Sequence, residues 1–348
     1  MKPRGWVVVA VVILGSCGLA KAWSRTFPQS QSEVSPPADE VPSPEVIGEG
    51  IISTDEDELG GGVMPDGQTL IFEKSAAPHY LYIMCESHLV NGVWSKPEIF
   101  PFSGQYRDTD PVIAPDGESI LFASDRPVGG KDLHRWSIWR ARRMKKGNIA
   151  GKEGGGEIVW SEPELIPGAV NSEGSQVFAS IAANGNIYFA SSRKTGNYDV
   201  FCAKLVDGEY KSVEELGPLN GPGIDTFEAV IAPDESHLLL GSFGREGGYG
   251  SSDIFVSYRK GQGWGKPINL GPQINGKARD YSPRISADGE WLYFTSEKGF
   301  LDDKREQPFT YQEVNSKLNG VNNGLGNLYR VPLGPVLRAA RKKQLDVQ

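Results

Sequence analysis

The stretch Asp225–Ile274 constrains the fold more than any other part of the chain. It reads as four short β-type runs separated by turn chemistry: Val230-Ile231-Ala232 ahead of Pro233-Asp234, then Leu238-Leu239-Leu240, Asp253-Ile254-Phe255, and Trp264-Gly265-Lys266-Pro267-Ile268. Imperfect copies recur through most of the sequence. A period of about 50 residues with four strands per unit is the signature of a β-propeller blade.

The turn after the first strand recurs as Pro65-Asp66-Gly67, Pro115-Asp116-Gly117, Ala183-Asn184-Gly185, Pro233-Asp234-Glu235 and Ala287-Asp288-Gly289. Pro fixes φ, Asp bonds local backbone and Gly accepts positive φ, so these are turns with a mechanism. Each is followed by a continuous apolar run, such as Leu70-Ile71-Phe72 or Ile120-Leu121-Phe122, expected of a strand covered on both faces. Aromatics mark the third strand: Tyr80/Tyr82, Trp139, Phe201, Phe255 and Tyr329. Trp94, Trp160 and Trp264, each three residues before a proline, mark the fourth and read as packing between blades.

The last repeat lacks a fourth strand. Ser43-Pro44-Glu45-Val46-Ile47 matches the fourth-strand wording, and Pro44 stands 21 residues before Pro65, against 18 to 20 in the other repeats. The expected fold is therefore all-β: a five-bladed propeller of four-stranded blades over 43–333, closed by an N-terminal strand that completes the last blade. Six blades is the alternative. Arg143–Glu157 and Phe300–Gly326 interrupt the period as loops, and a basic, helix-favouring tail follows from 334 to 348.

Lys2 and Arg4 ahead of the apolar run Trp6–Leu14 read as an export signal over 1–22, too short to span a membrane comfortably. Leu14-Gly15-Ser16-Cys17 resembles a lipobox with Cys17 as the lipidated residue, while Ala20-Lys21-Ala22 offers ordinary cleavage. Residues 23–42 are a Pro/Ser-rich linker with too little apolar content to order itself. The expected location is outside the cytoplasm, in the periplasm or outer envelope, with membrane contact only through that anchor. Cys85 and Cys202 fall in non-neighbouring repeats and read as small buried residues rather than a bridge.

The net charge of −8 and the lack of a basic stripe exclude nucleic-acid binding. Scattered histidines without ligand spacing exclude a zinc site, no G-x-S-x-G presents a serine nucleophile, and no cofactor or metal is expected. Ser53–Glu58 lacks the calcium-loop pattern and reads as a solvated acidic turn. Gly244–Gly250 does not join a strand to a helix, so it is not a phosphate cradle.

The residues Ala-Pro-Asp-Gly-Glu-Ser-Ile-Leu-Phe-Ala-Ser-Asp-Arg at 114–126, Ser252-Asp253-Ile254-Phe255, and Trp264–Gly271 resemble the PD40 repeat, the WD40-like unit of the TolB family. The resemblance spans roughly Ser43 to Leu333 and implies a binding or scaffolding role at a bacterial envelope. Five repeats and no N-terminal α/β domain set the chain apart from TolB itself.

Charged residues recur at the loop ends of one face. Loops leading into the first strands carry Asp57, Glu58, Asp108, Asp110, Asp225, Glu228 and Asp280; the facing loops carry Lys74, Arg126, Arg193, Arg245 and Lys298. One reading is a set of ion pairs that locks blade to blade. The other is a polar mouth for a protein partner or for a peptidoglycan or other glycan, in a monomeric binding module. An enzyme reading also exists. Five-bladed propellers include glycoside hydrolases, and Asp57, Asp110 and Glu228, from the inner strands of three blades, would supply the paired carboxyls.

Overall fold

The computed structural model describes residues 40–76, 80–145, 158–194, 196–302 and 305–346. The export signal with Cys17, nearly all of the linker, most of Arg143–Glu157, and His79 lie outside the described residues. Five antiparallel sheets form, one per repeat, each running from an inner to an outer strand. Blade 1 contains Asp57–Val63, Thr69–Ala76 and Leu81–Val90, with the short outer pairings Val93–Trp94 and Glu98–Ile99. Blade 2 contains Asp108–Ile113, Ser119–Ser124 and Ser137–Lys145, with outer Ile158–Trp160 and Glu164–Leu165. Blade 3 contains Gln176–Ile181, Ile187–Ser191, Asp199–Ala203 and Val213–Glu215.

The inner strand of blade 4 is split into Asp225–Thr226 and Val230–Ile231. It precedes His237–Phe243, Ser252–Lys260 and the outer pieces Gly263–Trp264 and Ile268–Asn269. Blade 5 contains Asp280–Ile285, Trp291–Ser296 and Asn327–Pro332, and its outer strand is Glu45–Val46 from the other end of the chain. The count is five, not six. Closure follows the expected register: Glu45 faces Arg330, Val46 faces Tyr329, and the Ile47 N–H donates to the Leu328 carbonyl at 2.9 Å. Sharing one blade between the two ends removes the unpaired edge an open row of sheets would expose.

The apolar second strands lie between neighbouring blades and are buried through their middles, with Phe72, Phe122, Phe189 and Leu240 fully enclosed. Two of the repeated tryptophans reach the preceding blade: Trp160 packs on Phe100 and Trp264 on Tyr188. Asn171, Asn220 and Asn275, one after each fourth strand of blades 2 to 4, strap the third strand. Each accepts from and donates to the backbone of Ile138, Val200 and Ile254 in turn. The asparagine that follows the fourth strand is thus a structural clamp. Cys85 and Cys202 are buried free thiols in blades 1 and 3.

A short helix, α1 (Tyr311–Leu318), lies in the blade 5 loop, and the basic tail forms a second helix, α2 (Leu333–Asp346). A Thr310/Glu313 capping box starts α1. Leu333, Val336 and Ala340 of α2 are buried against Val331, Leu292 and Tyr258, and Tyr258 donates to the Leu337 carbonyl at 2.9 Å. The helix therefore fastens blade 5 to blade 4.

One sequence register is corrected. Tyr82 does not share the position of Trp139 and Phe201; that place, opposite Phe72, belongs to Cys85. Pairing instead sets Tyr82 level with Trp136 and Tyr198, because the second and third strands of blade 1 each run two residues further than those of blades 2 and 3.

Ile47→Ala removes a buried side chain from the closing strand and should cost about 2–5 kcal/mol, read as a lower denaturant midpoint with unchanged slope. An unaltered midpoint would show that the N-terminal strand does not hold the ring.

Candidate functional site

The inner strands of four blades break register at the same repeat position. The shifts fall between Leu59 and Gly62, Thr109 and Val112, Val177 and Ser180, and Tyr281 and Arg284. The first residue inside each bulge has positive φ: Gly60, Asp110, Phe178 and Ser282. Such a bulge frees a backbone N–H from its own ladder and turns it sideways. A buried N–H requires an acceptor, and each finds one on the preceding blade. Gly60 donates to Thr295 Oγ1 at 3.1 Å, Asp110 to Glu73 Oε1 at 2.8 Å, Phe178 to Asp110 Oδ2 at 3.2 Å, and Ser282 to Glu228 Oε1 at 2.7 Å. At the remaining junction Ser180 Oγ takes the Ile231 N–H and donates to the Ala229 carbonyl.

Residue size decides where each acceptor comes from. Glu73, Ala123, Ala190, Gly241 and Thr295 occupy one repeat position in the second strand, directly after its apolar run. Where it is Glu or Thr, that side chain serves. Where it is Ala123 or Gly241, the inner-strand carboxylate of the same blade serves instead, as Asp110 or Glu228. A Cβ on Gly241 would collide with the Glu228 carboxyl, and one on Gly60 would collide with that of Glu73. Both glycines make room for an acid.

Glu73, Asp110 and Glu228 gather around one cation, Arg284, which is itself buried and bonded through Nε to the Pro111 carbonyl at 2.9 Å. Burial pushes the Glu73 carboxyl up to about 8, with repulsion from Asp110 adding to it. Burial likewise raises Asp110 and Glu228 to about 7, against the pull of Arg284 and of the donated N–H groups. Burial thus biases all three acids toward the protonated form, relative to an exposed carboxyl. Below them Arg284 helps line a void of about 40 Å³ walled by Val, Ile and Pro side chains of the inner strands.

Above them a funnel of about 270 Å³ opens at the ends of the strands. Glu73, Thr109, Asp110 and Ser282 line it below, and Asp225 lines its side. Its walls are aromatic. Tyr82, Trp136 and Tyr198 come from the start of the third strand in blades 1 to 3, and Phe227 and Phe243 come from blade 4. Tyr82 and Trp136 meet edge to face at 5.9 Å. Blade 5 contributes Tyr281 and Arg279, whose guanidinium lies 4.0 Å from the Tyr281 ring centre and 3.5 Å from Glu297.

Of the residues singled out in the sequence, Asp110 and Asp225 line the funnel and Glu228 joins the acids at its base. The others make bonds within the chain. Arg193 donates to the Val170 carbonyl at 2.6 Å, Arg245 to that of Leu219 at 2.6 Å, and Arg126 pairs with Asp108 at 2.6 Å. Each of these arginines also uses Nε on the serine that ends the second strand. Each thereby ties its blade to the loop leading into it. Asp57 accepts the Gly326 N–H at 2.8 Å, pinning blade 1 to blade 5, and is not part of the group around Arg284. Asp280 accepts the Gly276 N–H and, with Lys298, lines a separate cleft of about 520 Å³. The acidic turn Ser53–Glu58 is not fully solvated: Glu58 is buried, accepts from Thr54 N and Oγ1, and pairs with Lys74 at 3.1 Å.

Glu73, Arg284 and the three aromatics were not found from the sequence. Glu73 had a signal, being the one acid directly after a second-strand apolar run. Trp136 and Tyr198 had another, standing one residue before Ser137 and Asp199. Among the described residues no group of three or more acids, histidines or cysteines is arranged to hold a metal ion, and no helix is long and apolar enough to cross a membrane.

A carboxyl that binds its proton more tightly when folded stabilises the fold below its unfolded value and loses that contribution as pH rises through its folded value. Glu73 and Glu228 should therefore make stability fall between about pH 4.5 and 8 and level off above. Glu73→Gln or Glu228→Gln should flatten that slope relative to the parent in denaturant titrations. A steeper slope, or one unchanged in both, would contradict the assignment.

No family model matches the chain, and no curated protein sequence matches it. Solved structures resemble it over most of its length at low identity. They include a protein assigned as TolB from Agrobacterium tumefaciens, 14% identical over 80% of this chain and 90% of that one, with a TM-score of 0.44. A protein of unknown function from Dyadobacter fermentans is 14% identical over 74% and 81%, also at 0.44. XC5397 from Xanthomonas campestris, described as a gluconolactonase, is 12% identical over 85% and 98%, at 0.41. Likeness at this level carries no inference about activity. The assignment as a five-bladed β-propeller rests on the strand pairing itself.

Proposed function

We propose that the protein is an exported, envelope-associated propeller that works as a binding or scaffold module, taking a protein or glycan partner on the face where the funnel opens. The observation that carries this reading is the funnel: a concave, aromatic-walled site with a few convergent polar groups, the form binding pockets take. The surface around it supports the same reading. Tyr80, Leu133, Tyr249, Leu301 and Tyr311 are exposed, and all lie in the connections between second and third strands, on the funnel side of four blades. Scattered apolar residues need no explanation, but several around one concave centre are the makings of a contact face. The export signal at Lys2–Leu14, with Cys17 as a lipid attachment point, would place that face outside the cytoplasm. The PD40 resemblance points to binding rather than turnover.

One observation favours a hydrolase instead. Burial raises the Glu73, Asp110 and Glu228 carboxyls toward neutral pH, as a general acid for glycoside cleavage requires. Against it, Glu73 and Asp110 each accept a backbone N–H, and the Thr109 hydroxyl lies between them, 2.6 Å from Glu73 and 3.1 Å from Asp110. The acids are accounted for by the junctions they close.

Trp136→Ala combined with Tyr198→Ala should abolish capture of envelope components by the immobilised protein while leaving its circular dichroism unchanged. Capture that survives the double change, or none by the parent, would overturn the reading. On a panel of aryl glycosides no turnover is expected; turnover that disappears in Glu228→Gln would establish the hydrolase.

A further inference from the structure

We infer that the funnel receives a positively charged side chain, the ammonium of a lysine or the guanidinium of an arginine, presented by a partner polypeptide. The inference rests on the binding reading above and narrows it to one chemistry. The balance of charge around the cavity is the first observation. Glu73, Asp110 and Asp225 line it, Glu228 lies at its base, and the fields of Asp57 and Glu297 reach the tyrosines of its wall. Two cations answer them. Arg284 is shared among Glu73, Asp110 and Glu228 beneath the cavity, and Arg279 is held at Glu297 and stacked on Tyr281, Phe227 and Phe243. Acidic groups outnumber cations around the cavity, and because burial biases Glu73, Asp110 and Glu228 toward their protonated forms, a third cation placed there would take the place of protons they hold.

The wall is the second observation, and it is independent of the first. Tyr82, Trp136 and Tyr198 occupy the same repeat position in three consecutive blades. The matching places in blades 4 and 5 are Ser252 and Gly326. The rings thus form an arc on one side of the cavity. Electron-rich rings attract cations, most strongly where water is excluded. The chain already uses this attraction nearby: the Arg107 guanidinium sits 4.9 Å from the Trp136 ring centre while paired with Asp125.

Size supplies the third. A cavity of about 270 Å³ is below the usual range for whole ligands. It suits one long side chain inserted from a larger partner. The exposed Tyr80, Leu133, Tyr249, Leu301 and Tyr311 then contact the polypeptide that carries it. Proton coupling follows. A bound cation favours the ionised acids, so binding releases protons from Glu73, Asp110 and Glu228 and tightens as pH rises from 6 to 8. Tyr82 and Tyr198 stay neutral across that range because burial raises their phenols.

The test is an NMR and tryptophan-fluorescence titration of the full chain with N-acetyl-lysinamide, N-acetyl-argininamide, N-acetyl-glutaminamide and methyl N-acetylglucosaminide, at pH 6 and pH 8. The basic amides should bind at least about tenfold more tightly than the glutamine amide, more tightly at pH 8 than at pH 6, and more weakly in Asp225→Asn and in Trp136→Leu. Equal binding of the neutral amide, preference for the sugar, or affinity that falls with pH would overturn the inference. If envelope capture still requires Trp136 and Tyr198 while cations show no preference, the inference fails and the binding module stands. If capture and cation binding both fail, both readings fall.

Discussion

The backbone N–H turned out of each inner-strand bulge, and the side chain on the preceding blade that accepts it, is the interaction on which the rest of this structure depends. A propeller blade is hydrophobic on both faces, and apolar packing alone leaves neighbouring sheets free to slide. A directional bond from Asp110 to Glu73, from Phe178 to Asp110, or from Ser282 to Glu228 fixes their register at the axis. Water is largely excluded there, so an unmet N–H would cost about 1–3 kcal/mol. A carboxylate is the strongest acceptor available and the costliest to bury. Two things ease that conflict: burial raises these carboxyls toward neutral pH, so protonation is available to them, and Arg284 lies among them.

The acidity of the axis is therefore a consequence of how the blades are joined, and the funnel inherits it. The same logic explains residues that look unrelated in the sequence. Gly241 is small because Glu228 lies over it, and Gly60 lacks a side chain because Glu73 fills that space. Thr295 takes the place of Glu73 in blade 5, where a neutral acceptor serves Gly60. Phe178 holds an aromatic side chain at positive φ, a strained arrangement costing on the order of 1–3 kcal/mol. Its ring forms part of the funnel wall, so the strain sits where a ligand would be met.

Much of the fold was legible because its signals repeat. The Pro-Asp-Gly turns fixed the period, the apolar runs marked the second strands, and the spacing from Pro44 to Pro65 assigned Glu45–Val46 to the last blade. The site was legible only in part, for the opposite reason. Arg126, Arg193 and Arg245 recur and so drew notice, yet they recur because each blade needs the same bond to the loop leading into it. Glu73 and Arg284 occur in single blades and left no periodic trace. The bulges conceal inner-strand residues further, since one extra residue reverses the alternation that tells inward from outward. Tyr82 lies in its third strand as its sequence suggests, but only the strand pairing shows that it stands level with Trp136 and Tyr198 rather than with Trp139 and Phe201.

The most direct test of this account is amide hydrogen exchange at Gly60, Asp110, Phe178 and Ser282, followed by NMR. These amides lie at irregular points of the inner strands, outside the regular ladders, where bulged backbone would ordinarily open locally. If the preceding blade latches them, they should exchange only through global unfolding, as slowly as amides of the buried second strands, and the Asp110 amide should be deprotected by Glu73→Ala. Exchange at the rate of loop amides in the parent protein would contradict the account.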